Sequence, residues 1–186
     1  NDPNIFKAFF LAGGPGSGKS FVVGKTTGGT GLKIVNSDDV FEKYLKDAGF
    51  EMDMTTSKAE LQQEPRDKLR DRAKVVTKMK QDNYVDGRLG LVIDGTGADY
   101  DKIVRQSIGL KQLGYDTHMI YVNTSLDVAL DRNSKRERKV STSIATKSWK
   151  DVQSNLGKFS QHFRRNMIVV DNNEVLEDDG TLFNDV

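Results

Sequence analysis

Apolar residues recur along this chain with two periods, and the periods alternate. Lys7–Leu11 is an apolar run feeding a glycine-rich turn, and Leu32–Val35, Leu89–Ile93, Thr117–Val122 and Met167–Val170 are four further short runs. Leu89–Ile93 carries no polar side chain, as a parallel strand covered on both faces requires. The intervening segments are helical in spacing. The first helix is predicted over Gly18–Lys25, with a loop at Thr27–Gly31. Ser37 is placed to cap a helix running to about Ala48 and stopping at Gly49, with Val40, Phe41, Tyr44, Leu45 and Ala48 on its buried face. Ser57-Lys58-Ala59-Glu60 has the capping-box pattern. Pro65 then restarts or kinks a long helix to about Gln81, with Leu69, Ala73, Val76 and Met79 on one face.

Asp99 caps a helix ending at Gly114, and Ser125 begins another. Trp149, Val152, Leu156, Phe159 and Phe163 recur every three or four residues and form one helical stripe. Val175–Glu177 and Thr181–Phe183 flank Asp178-Asp179-Gly180 and read as a small hairpin. Strands alternating with helices imply an α/β three-layer sandwich around a five-stranded parallel sheet. The chain reads as one domain over residues 1–186, without repeats or a long linker.

Composition narrows the chemistry. There is no cysteine, which excludes disulfides, thiolate metal sites and a Cys nucleophile. His118 and His162 are too few for a zinc site without carboxylate help. Metal chemistry therefore falls to oxygen ligands, which suit Mg²⁺. No stretch approaches the ~20 apolar residues of a membrane span, and the first residues lack a secretory pattern, so a cytoplasmic setting is expected. Net charge is only +1, but it is unevenly spread. The segment Arg132–Arg165 holds ten Lys/Arg against two acids, and Asp171–Val186 holds six acids and no base. A solvated helix face explains any single charge in the block, while the block as a whole points to an anionic ligand nearby.

The strongest motif is Gly13-Gly14-Pro15-Gly16-Ser17-Gly18-Lys19-Ser20, a full G-x-x-x-x-G-K-[ST] between a predicted strand and a predicted helix. Small residues let successive backbone N–H groups face phosphates, and the helix N-terminus adds partial positive charge. Lys19 is placed to reach the β- and γ-phosphates, and the Ser20 hydroxyl to bind Mg²⁺. Gly24-Lys25-Thr26 repeats the G-K-T letters inside the helix, where the amides are already used, so Lys25 reads as a surface residue.

Asp94-Gly95-Thr96-Gly97 also fits the D-x-x-G of a GTPase, but the region after the next strand, Asn123-Thr124-Ser125-Leu126, lacks the Lys and Asp of a guanine reader. Three features favour a kinase. Asn36-Ser37-Asp38-Asp39 follows the second strand, where ligands of open α/β sheets bind; a carboxylate there can accept a hydroxyl proton, or simply cap a helix. Asp94 ends the third strand, placed to orient a magnesium water, hold an acceptor, or make a turn. Arg132-Asn133-Ser134-Lys135-Arg136 ends the helix after the fourth strand, where arginines can close over a triphosphate or complement a helix dipole.

Together these residues, from about Phe9 to Asp171, resemble the phage-type polynucleotide 5′-kinases and their zeta-toxin-like relatives. The resemblance implies an ATP- and Mg²⁺-dependent kinase transferring the γ-phosphate to a hydroxyl, with an arginine-bearing lid. Its acceptor would be a polynucleotide 5′-hydroxyl or a nucleotide, in host cytoplasm if the chain is phage-encoded. Asp38 would be the general base, Lys19, Arg132 and Arg136 would act on the phosphates, and Asp38, Asp94 and Thr96 would meet the acceptor. Two departures stand out. Phe41 occupies the place of an arginine that holds the acceptor phosphate in polynucleotide kinases. Asp94-Gly95-Thr96 resembles the acidic-Gly-Thr element of zeta-toxin-like kinases, which contacts a nucleotide-sugar acceptor. Trp149 reads as core packing before a base-stacking platform, His118 as structural, and Arg66, Arg70 and Arg72 as a solvated helix face.

Overall fold

A computed structural model describes residues 5–173, the side chains of Thr26 and Thr27 aside. Twelve regular elements follow in order: β1 (Lys7–Ala12), α1 (Lys19–Thr27), β2 (Lys33–Val35), α2 (Ser37–Asp47), α3 (Ser57–Leu61), α4 (Gln63–Asp86), β3 (Leu91–Ile93), α5 (Tyr100–Gln112), β4 (Asp116–Asn123), α6 (Leu126–Ser134), α7 (Thr142–Phe163) and β5 (Met167–Asp171). The five strands form one all-parallel sheet in the order β2-β3-β1-β4-β5. The α/β sandwich expected from the alternating periods is therefore present. The expected hairpin at 175–183 lies outside the described residues.

Alternation along the strands splits the core into two layers. Ala8, Phe10, Ala12, Leu91, Ile93, Met119 and Tyr121 face α4, α5 and α7, meeting Ile103, Leu110, Val152, Phe159 and Phe163. Leu11, Val92, Ile120 and Val122 face α1 through Val22 and Val23. A third cluster lies off the sheet, where Phe41 and Leu45 of α2 meet Ala73 of α4. This satellite core holds α2 against α4 beside the C-terminal ends of β2 and β3.

Several local expectations shift by a residue or a face. The cap of α2 is Asn36, not Ser37: its side-chain oxygen accepts from the Asp38 amide at 2.8 Å. The cap of α3 is Thr56, whose hydroxyl accepts from Ala59 N; Ala59 then stands where the reciprocal Glu would have to be, so the expected capping box is replaced by a simple cap. Pro65 stands in the first turn of α4, where its missing N–H costs nothing, and does not kink the helix. Met79 is exposed, because the four-residue step from Ala73 to buried Thr77 rotates the apolar face away from it.

The largest correction concerns Arg66, expected on a solvated face but only 1% exposed. Its guanidinium donates to the Glu51 carbonyl, the Gln62 side chain and the Met54 sulfur, beside the Phe50 ring. Burial lowers its pKa against the help of Glu51. The Glu51 carbonyl in the α2–α3 connection is satisfied by this long cation, which also takes the Gln62 side chain and the Met54 sulfur as acceptors.

Candidate active site

Three strand ends converge on the site. β1 is central in the sheet, so the glycine loop that follows it emerges between its neighbours β3 and β4. The loop is braced on all sides. Gly13 N donates to Thr96 O at 2.8 Å, tying the cradle to the end of β3. Asn172 Nδ2 donates to Ser17 O at 2.7 Å, and the α7 backbone at Trp149 lies directly under Gly14. Gly16 and Gly18 have φ of 81° and 87°, and a Cβ at either would collide with the Ala129 carbonyl or the Asn172 amide. The neighbours thus leave room for backbone only, as a phosphate cradle needs.

Lys19 opens α1, and its ammonium donates to the Gly13 carbonyl at 2.6 Å and to that of Gly14 at 3.5 Å. Burial lowers its pKa and the charge of Arg136 adds to the effect, against the opposing pull of Asp94 and Asp38. Ser20 is exposed in the first turn of α1, free to turn its hydroxyl toward a ligand at the loop. Lys25 is exposed and lies over the Phe21 ring, away from the cradle.

Opposite the loop stands a carboxylate cluster. Asn36 Nδ2 donates to Asp39 at 2.9 Å and to Asp94 at 3.1 Å, so one amide at the end of β2 holds both acids. Burial raises the pKa of Asp94, with Asp39 and Asp38 adding to it and Lys19 and Arg136 opposing. Asp39 is raised by burial, by Glu42 and by Asp38, while Arg138 and the Asn36 bond pull it back. Asp38 is exposed and pairs with Arg138 at 3.1 Å. Thr96 is exposed beside them, its hydroxyl accepting from Ala98 N.

The expected arginines divide. Arg132 Nη1 donates to the Asn172 carbonyl at 2.7 Å, next to Gly18, so it stands at the cradle. Arg136 lies close enough to Lys19 and Asp94 to shift both. Sequence reasoning missed Arg138. Its side chain is only 10% exposed, pairs with Asp38 and Glu42, and lies over the Phe41 ring 5.4 Å from its centre. The signal was present in the run Lys135–Lys139 but could not say which base turns inward. Trp149 is half-buried against the P-loop, with its Nε1 on Thr124 O at 2.8 Å, so it is packing. His118 bonds Asp116 and stacks on Phe9, a structural role.

A parallel sheet whose central strand runs into this lysine-tipped glycine cradle, faced by carboxylates and a basic lid, defines a P-loop kinase. More narrowly, the zeta toxin family profile matches residues 6–180, and the chain belongs to that family. No curated protein matches it. Similar folds are found in the AvrRxo1-ORF1:-ORF2 complex solved with ATP (18% identity, TM-score 0.63), the Pnkp1/Rnl/Hen1 RNA repair complex (18%, 0.60) and a gluconokinase from Sinorhizobium meliloti 1021 (12%, 0.53). Each match covers most of this chain: 93%, 84% and 92%. The chain spans 86% of the gluconokinase, but only 56% and 47% of the other two.

Proposed function

We propose that this chain transfers the γ-phosphate of ATP to an acceptor hydroxyl, with Asp38 taking the hydroxyl proton. The observation that carries the reading is the joining of the glycine loop to the acidic strand ends: Gly13 N donates to Thr96 O at 2.8 Å, two residues from Asp94, and Asn36 links Asp94 to Asp39 beside Asp38. The acceptor oxygen attacks the γ-phosphorus, the bond to the β-phosphate bridging oxygen breaks, ADP leaves, and the proton goes to Asp38. Residues Gly13 to Ser20 cradle the phosphates, with Lys19 on the transferred group. Arg132 and Arg136 neutralise charge from the lid, and Arg138 orients Asp38 through its 3.1 Å ion pair.

The residues fit Mg²⁺ as a nucleotide-bound ion. Among the described residues no three His, Asp or Glu side chains converge into a metal cage. Ser20 at the start of α1 and Asp94 at the end of β3 would supply the one or two protein oxygens that a phosphate-bound Mg²⁺ needs. Bound there, Mg²⁺ would neutralise the β- and γ-oxygens.

For the acceptor, zeta toxin family membership supports a nucleotide-type small molecule held at Asp94 and Thr96. A second reading, a polynucleotide 5′-hydroxyl, draws on the Arg132–Arg165 basic block and the fold likeness to the Pnkp1 complex. We read residues 1–186 as a single kinase domain working in the cytoplasm. The test is γ-labelled ATP with 5′-hydroxyl oligonucleotides, nucleoside monophosphates and nucleotide sugars. Transfer that depends on Asp38 and Lys19 is expected. An enzyme that neither binds ATP nor transfers phosphate would overturn the reading.

A further inference from the structure

A pocket of about 330 Å³ opens between α4 and α5, beside the strand ends. Its floor is apolar: Phe10, Val35, Ile93 and Ile103. Ser37, Asp94 and Thr96 line the end nearest the cradle. The wall of α4 contributes Lys74, Thr77 and Lys78, and that of α5 contributes Lys102. Thr77 is 8% exposed, and its buried hydroxyl has no hydrogen-bond partner among the described residues. A buried hydroxyl without a partner costs free energy that a polar ligand atom would recover.

The charges differ in how free they are. Lys74 pairs with Asp71 at 2.9 Å and Lys78 with Asp82 at 2.5 Å, both on the exposed surface of their own helix. Such pairs are worth little and exchange readily for a stronger anion. Lys102 makes no ion pair among the described residues. The pocket therefore offers Asp94 at the strand ends, an apolar floor for a ring, and lysines along its two helical walls, with the Asp99 carboxylate turned to capping the Lys102 amide at the start of α5. Its volume is near the lower end of the ~300–1,000 Å³ range of small-molecule sites. A nucleotide sugar would overfill it, and an oligonucleotide would bury only its terminal residue.

We infer, on the kinase reading above, that this pocket receives the acceptor, and that the acceptor is a compact ring bearing one phosphate: a nucleoside monophosphate or a sugar phosphate. Its free hydroxyl lies at the end lined by Ser37 and Asp94, where Asp38 is the next residue of α2, and its phosphate reaches Lys102, with Lys78 and Lys74 released from their helix neighbours to join. The hydroxyl oxygen bonds to the γ-phosphorus, ADP departs with the bridging oxygen, and the proton passes to Asp38. The existing phosphate is bound but unchanged.

The experiment uses the full chain, γ-labelled ATP and a panel of acceptors. Nucleoside monophosphates and hexose phosphates are each paired with their dephosphorylated counterparts, beside a nucleotide sugar and a 5′-hydroxyl oligonucleotide. At least one compact phosphorylated acceptor is expected to lead, exceeding its dephosphorylated counterpart about tenfold or more in kcat/KM, the worth of a charge-assisted contact. Lys102→Ala should raise KM for that acceptor about tenfold and narrow its advantage over the counterpart. Lys80→Ala, an exposed α4 change outside the pocket, should alter neither. Preference for the oligonucleotide or the nucleotide sugar overturns the inference, as does an acceptor KM indifferent to Lys102 and Lys78. Transfer to nothing in the panel by an enzyme that still binds ATP through Lys19 also overturns it, and leaves the kinase reading standing. Failure to bind ATP removes both together.

Discussion

Asp38 and Asp39 are chain neighbours with different tasks written in their partners. Both are exposed, but Asp39 accepts a hydrogen bond from Asn36 while Asp38 pairs with Arg138. Asp38→Asn keeps size but cannot take a proton. Turnover should fall about 10²–10⁴-fold, with ATP affinity nearly unchanged. Asp39→Asn should cost less, because an amide can still bond Asn36. If Asp39→Asn proves the more damaging in steady-state assays, the base is Asp39. Lys19→Ala should abolish transfer or weaken ATP binding in calorimetry, because the cradle loses its side-chain cation; Lys25→Ala should do neither. The motif and both aspartates were legible because they are contiguous. Arg138 and the double grip of Asn36 were not, since their partners lie far away in sequence: 100 residues from Arg138 to Asp38 and 58 from Asn36 to Asp94.

At the scale of elements, sequence periodicity located every strand and every long helix among the described residues, and erred at ends and faces. Caps moved by one residue where two adjacent polar side chains competed for the same amides: Asn36 against Ser37, and Thr56 against Ser57. α4 misled more, because two of its three buried residues, Arg66 and Thr77, are polar and only Ala73 is apolar. Arg66→Ala should lower stability by about 2–4 kcal/mol, from the cavity and from the Glu51 carbonyl and Gln62 side chain left unpaired. Arg66→Met should recover part of this by filling the space without a buried charge. Denaturant midpoints at constant m-value would show it, and an Arg66→Ala protein as stable as the parent would return the residue to the surface. β4 and α7 are joined by another buried polar contact, the Tyr121 hydroxyl donating to Val152 O at 3.1 Å. Burial pushes the Tyr121 pKa from its usual 10.0 up to about 12. The folded state thus holds this proton more tightly than the unfolded chain. The resulting stability is complete below pH 10, falls as pH rises, and is gone once pH has passed about 12. Tyr121→Phe should remove that part of the alkaline loss of stability while leaving the acid side alone.

For the whole molecule, the distribution of charge looked more suggestive in the sequence than it does in three dimensions. The Arg132–Arg165 block counts as strongly basic only while acids outside it are ignored. Folded, Lys135 pairs with Asp131, Arg138 with Asp38 and Glu42, and Lys139 with Asp53. Lys147 is matched within the block by Asp151. Chain folding brings partners that a linear count cannot see, so part of the apparent excess is offset by Asp131, Asp38, Glu42 and Asp53, while Glu137 is drawn to Lys46 outside the block. A protein that neutralises six to ten phosphates loses roughly 10³–10⁵ in affinity between 50 and 200 mM salt. Exposed pairs exchange readily for phosphate, whereas Arg138 is held by two carboxylates, so pairing trims the slope without removing it and the loss over that range should stay below about 10³. Fluorescence anisotropy with a labelled 5′-hydroxyl oligonucleotide, repeated across the salt series, measures the slope. Transfer to a compact acceptor, assayed in parallel, should hardly respond, because the pocket between α4 and α5 meets one phosphate and not a chain of them. A steep slope for the oligonucleotide, accompanied by efficient labelling of its 5′-end, would mean that the lid cations exchange their carboxylate partners for phosphates. The polynucleotide reading would then displace the small-acceptor one, with Asp38 and Lys19 keeping the same roles.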